Sequence, residues 1–203
     1  MKTLIGSNGS YTEEVFEGVQ SGDVKIDKAE FLDCRFDRCR FPETVFDTCT
    51  FDACTFRECD LGLAKLPHCS FSGTLFEGCK LIGINWTEAR WAATRLWDPV
   101  TFRKCVLDHS TFLGLSLKAI KFTDCVAKEV DFRDADLSEA DFAGTDLTGS
   151  LFAGTNLTGA SFDGASNYRI DPRINTLKGA RFALPEAMSL LDGLEIELTG
   201  WGE

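Results

Sequence analysis

The sequence predicts an all-β solenoid of about seven stacked coils, closed by a short C-terminal helix. Three observations predict it. Large apolar residues recur at every fifth position, small residues recur two positions earlier, and a period of five suits neither a helix nor a flat strand. The large set runs from Phe31 through Phe36, Phe41, Phe46, Phe51 and Phe56 to Trp86, Trp91 and Leu96. One extra residue then intervenes, and the pattern resumes at Phe102 and continues to Phe162. Of the 17 phenylalanines, 15 share this phase, which rules out chance. The small set includes Cys34, Cys39, Thr44, Cys49, Cys54 and Cys59, then Ala135, Ala140 and Thr145.

On an α-helix five residues advance the direction by about 140°, so the phenylalanines would circle the axis. On a flat strand an odd period sends them to alternate faces. A chain that turns a corner after each unit points all of them inward instead. Four sides close a square coil of 20 residues, and the 27 units make nearly seven coils. At the strand spacing of about 4.8 Å this is a rod of roughly 33 Å. The second inward position must be small, because a square interior cannot hold two large layers at native density.

Residues 1–28 keep the phase weakly at Phe16 and Ile26 and read as a cap with an imperfect first coil. The regular β-helix spans 29–166, with a one-residue insertion near 97–101, where Pro99 cannot donate to a ladder. Residues 167–203 form the end. Ala180 and Phe182 stay in register with Ala160 and Phe162, one coil earlier. Pro185 to Asp192 reads as a helix with Pro185 at its first position and Gly193 at its stop. Ala187, Leu190, Leu191 and Leu194 share its apolar face, and Leu194 to Leu198 alternates like a short strand. This end is more apolar than a lid requires. Leu190, Leu191, Leu194, Ile196 and Leu198 are therefore expected to form a two-fold dimer interface, the alternative being a lid that packs on its own last coil.

The net charge of −11 disfavours direct binding to nucleic acid and leaves a solubilising surface or one aimed at a basic partner. Residues 80–128 carry net +4 and residues 129–165 net −7. With one inserted residue, the units fold onto four sides, two of them net −3 and adjacent. The first places Glu30, Asp33, Asp52, Asp131 and Asp134 together, and the second Asp47, Asp108, Glu129 and Asp146. Together they predict an acidic partner-binding flank along the rod.

All nine cysteines occupy the small inward slot, where a thiol packs as a small apolar group. Such thiols suit a reducing compartment, and no run reaches the ~18 apolar residues of a membrane helix, so a cytoplasmic protein is expected. His68 and His109 fall outward, about two coils or roughly 10 Å apart, too far to share a zinc ion. The glycines at 144, 149, 154, 159 and 164 are corner residues rather than a phosphate loop. No cofactor, metal site or catalytic constellation is predicted.

Ala135-Asp136-Leu137-Ser138-Glu139, Ala140-Asp141-Phe142-Ala143-Gly144 and Thr155-Asn156-Leu157-Thr158-Gly159 resemble the pentapeptide-repeat family. That resemblance covers about 29–166 and implies a right-handed quadrilateral β-helix. Ile84-Asn85-Trp86-Thr87, Asn167-Tyr168-Arg169-Ile170-Asp171 and the run from Ala180 to Leu198 look like its topoisomerase-protecting, quinolone- and albicidin-resistance branch. The resemblance implies end-to-end dimers through the C-terminus. It also implies an acidic, DNA-like rod that binds DNA gyrase and shields it from poisons. The alternative is a non-catalytic interaction scaffold with another partner.

Overall fold

A computed structural model describes residues 5–91, 99–194 and 196. The chain forms an all-β solenoid of about eight turns with one short helix near the C-terminus. Short strands pair in parallel with the strand one turn away. Tyr11, Phe31, Phe51 and Phe71 form one column, and Phe16, Phe36, Phe56 and Phe76 the next. The step of 20 residues is four five-residue units, so each turn has four sides.

The interior follows from the phase. Phe36, Phe41, Phe102, Phe112, Phe122, Phe132 and Phe142 are completely buried. Rings one turn apart stack, as in Phe36–Phe56 at 4.4 Å and Phe102–Phe122 at 5.1 Å between centroids. Rings on neighbouring sides meet edge to face, as in Phe112–Phe122 at 5.3 Å. Both are favoured arrangements of aromatic quadrupoles.

The small slot has its own chemistry. Cys39 Sγ donates to the carbonyl of Phe16, and Cys105 Sγ to that of Phe76. Thr74 Oγ1 donates to Phe51 O, and Ser110 Oγ to Leu81 O. The acceptor is a carbonyl of the coil before, so thiol and hydroxyl interchange there. Cysteine, threonine and serine thus alternate along the chain while filling one position.

The corners bend through residues two beyond each large one, which adopt positive φ. Asp33 (53°), Glu43 (56°) and Glu129 (54°) do so as ordinary L-residues. The corner glycines Gly144, Gly149 and Gly164 (67–70°) do so without a Cβ penalty.

One amide per turn-type unit stands outside the ladder, that of the residue after the large one. Proline occupies this slot at Pro42 and Pro67. In several other units an aspartate two residues back accepts it. Asp131 Oδ1 takes the Arg133 amide at 3.1 Å, Asp136 that of Ser138, Asp141 that of Ala143 and Asp146 that of Thr148. Part of the acidity is therefore local turn chemistry.

The insertion is larger than the sequence count. Leu75 pairs with Thr101, Phe76 with Phe102 and Lys80 with Val106, a step of 26 residues against the usual 20. The step is six residues longer than the usual turn, one whole unit plus the extra residue. Leu96, counted as a core residue, falls at 92–98, outside the described residues. Every residue beyond moves one side back round the square. Thr111 consequently pairs with Asn85, rather than on the Phe31 side.

At the end, Phe162 pairs with Phe182 as the phase requires. The predicted helix is present as a 3-10 helix, Glu186–Leu194. With about three residues per turn, Leu190 lines up with Ala187, while Leu191 and Leu194 follow another line. The single apolar face expected for an α-helix is split accordingly. Leu190 packs against the core, and Leu194 is 38% exposed. The expected strand Leu194 to Leu198 lies largely outside the described residues. Among the described residues no helix is long and apolar enough to cross a membrane.

Candidate partner-binding surface

All nine predicted flank carboxylates point outward, but the 26-residue step divides them among three sides. Glu30, Asp33 and Asp52 belong to the Phe31–Phe51 column. Asp131 follows Asn85 and Thr111, so Asp131 and Asp134 join Asp47 on the side of Phe46 and Trp86. Val106, Val126 and Asp146 follow Lys80, which puts Asp108, Glu129 and Asp146 on the side of Leu81. The two-sided flank is thus corrected to three contiguous sides. The fourth carries Arg35, Arg38, Arg57, Arg103, Lys104 and Lys121 interleaved with Glu17, Asp37, Glu58, Glu77, Asp124 and Asp141, and several of these pair with one another. Sequence counting missed this distribution because it placed the later units one side too far on.

The carboxylates differ in their engagement. Asp47 accepts a 2.8 Å ion pair from Lys25 and lies 3.5 Å from His68. Lys25 above all, with Thr48 and His68, holds its carboxyl down at about 2. Asp131 is gripped by the Arg133 guanidinium through two hydrogen bonds of 2.9 and 2.7 Å, which lower its pKa. Partial burial raises that of Asp146, yet hydrogen bonds from Thr148 and Asn167 with Lys128 bring it to about 2. Asp108 accepts the Lys128 amide, and Glu129 faces His109 at 3.2 Å. Glu30, Asp33, Asp52 and Asp134 have no ion pair among the described residues. Of the nine, these four are the most available to a partner.

The two histidines sit on different corners, each beside its own carboxylate. The nine cysteines are free and buried, and burial pushes the Cys54 thiol up to about 12. No group of three or more His, Cys, Asp or Glu side chains able to hold a metal ion occurs among the described residues. At the C-terminal end the Asn167 amide donates to Glu186 at 2.7 Å, tying the 3-10 helix to the solenoid. Leu191 is half-buried, Ile196 is 53% exposed and Leu184 70%; Leu198 lies outside the described residues.

The pentapeptide repeat region family matches residues 29–99 and 97–167. The chain belongs to the pentapeptide-repeat family. Among solved pentapeptide-repeat structures, a trypsin-treated form of QnrB1, a plasmid-mediated fluoroquinolone resistance protein, superposes with a TM-score of 0.79. It is 17% identical, and the match covers 95% of this chain and 99% of that one. A second trypsin-treated form gives 0.65 at 18% identity, over 94% and 100%. HetL from the cyanobacterium Nostoc sp. strain PCC 7120 gives 0.49 at 14% identity, over 83% and 85%. No curated protein sequence matches significantly. At these identities the likeness is one of fold.

Proposed function

We propose that this pentapeptide-repeat protein binds DNA gyrase in place of DNA and protects the enzyme from poisons of the quinolone or albicidin type. What carries this reading is the surface, a parallel ladder on which the nine outward carboxylates of the predicted flank stand on three contiguous sides, Glu30, Asp33, Asp52 and Asp134 among them without an ion pair among the described residues. A protein groove that holds duplex DNA is basic and rewards such an array. The full-length likeness to a fluoroquinolone resistance protein supports the same reading. Two chains joined through their C-terminal ends would lengthen the acidic rod, and the exposed Leu184, Leu194 and Ile196 supply apolar surface for that contact.

A second reading has its own support. The net +4 of residues 80–128 and the mixed charge of the fourth side interrupt a continuous imitation of DNA. They suit a scaffold for a partner of mixed charge. A DNA-cleavage and supercoiling assay separates the two. Low-micromolar protein is expected to relieve gyrase poisoning, and more weakly as salt screens the contact. Joint reversal of Asp33, Asp52, Asp131 and Asp134 to lysine is expected to weaken gyrase binding by about tenfold or more without unfolding the chain. No gyrase binding by the unaltered protein would leave the scaffold reading in its place.

A further inference from the structure

A groove of about 400 Å³ opens on the side that carries Phe46 and Trp86, away from the free carboxylates on the Phe31 side. Its floor is apolar for a specific reason. Gly83 sits one turn after Leu63 at a corner with φ 68°, and a Cβ there would lie 2.7 Å from Leu63 Cδ2. Glycine lets the Leu63 side chain lie across the next coil, and any larger residue would push it aside. Leu63 stays 55% exposed, with Val45 and Ala64 completing the floor.

The rim is acidic. Asp23 and Glu43 precede Leu63 in the same corner column, and Glu88 is drawn over by a hydrogen bond from Asn85 Nδ2 to its Oε1, 3.2 Å. Asp23, Glu43 and Glu88 form no ion pair among the described residues, nor does Lys65, the one cation in the lining. Three carboxylates against one ammonium leave the groove negative, above a leucine with no cover. This combination suits a side chain with an apolar stem and a charged tip. A planar guanidinium, with donors fanned to both sides, meets more than one carboxylate better than an ammonium does. The volume lies within the ordinary range of ligand clefts.

The geometry points to a docking groove for an arginine side chain on a basic segment of a partner protein. The test is fluorescence anisotropy with a labelled tetra-arginine peptide and its uncharged tetra-citrulline counterpart. Three variants accompany the unaltered protein. Glu43→Lys reverses a rim charge, and Leu63→Ser removes the floor while keeping every charge. Glu58→Lys makes the same charge change at an equivalent exposed corner, φ 51°, outside the groove. Glu43→Lys is expected to weaken peptide binding about tenfold, and Glu58→Lys less than about twofold. Leu63→Ser is expected to weaken it by about threefold. Equal weakening by Glu43→Lys and Glu58→Lys would show attraction to net charge alone and overturn the groove. Full binding by Leu63→Ser, or binding of the citrulline peptide as tight as that of the arginine peptide, would also overturn it. The probe is a peptide, so the result does not depend on whether the chain binds gyrase.

Discussion

Replacing Phe122 with alanine is expected to lower the unfolding free energy by about 3–5 kcal/mol, the cost of deleting a fully buried ring. Phe122 is 0% exposed and stacks between Phe102 at 5.1 Å and Phe142 at 5.3 Å. It also meets Phe112 and Phe132 edge to face, at 5.3 and 5.6 Å. Its coil is pinned above and below by the ladder, so the neighbours cannot close the space without breaking parallel pairing. A solenoid coil touches only the coils beside it, so weakening a central one also uncouples the two halves. Urea unfolding monitored by circular dichroism reads the loss. A change below about 1 kcal/mol would mean that the ring column is not the main source of cohesion.

Proline substitution is expected to have a large effect at one position of the unit and little at another. The Val126 amide donates to the Cys105 carbonyl at 2.8 Å, one rung of the ladder. Val126→Pro removes that bond and drives the ring into the paired strand, so a loss of about 3 kcal/mol or more is expected. Lys118 occupies the slot after a large residue, where Pro42 and Pro67 already sit. Its side chain only pairs with Glu139 on the surface, at 2.8 Å. Lys118→Pro is therefore expected to change stability by less than about 1 kcal/mol. Thermal melts of the two variants side by side check this, and equal destabilisation would contradict the assignment of ladder and free amides.

The sequence was informative wherever the determinant was local. The large and small inward positions and the corner glycines follow from five-residue periodicity alone, because each unit repeats one steric problem. The 26-residue step was hidden because Leu96 keeps the apolar phase of the repeat. Only non-local pairing, such as Lys80 with Val106, shows which unit belongs to the ladder. That displacement moved Asp131 and Asp134 beside Asp47 and dispersed the flank. The terminal helix suffered a similar ambiguity, since positions 187, 190, 191 and 194 suit spacings of three and of four. The role of aspartates such as Asp136 was legible in principle, since an Asp two residues before a free amide is a turn signature. The groove had one faint signal, Gly83 set twenty residues after Leu63, whose meaning appears only once the two coils are stacked.

The placement of every charged side rests on the register across residues 92–98. Nuclear Overhauser contacts in isotope-labelled protein measure it most directly. Cross-strand contacts joining Lys80 to Val106 and Asn85 to Thr111, with the Phe76 ring against Phe102, are the predicted result. Contacts joining Asn85 to Val106, with Leu81 against Phe102, would restore a single inserted residue and contradict the placement of Asp131 and Asp134 beside Asp47.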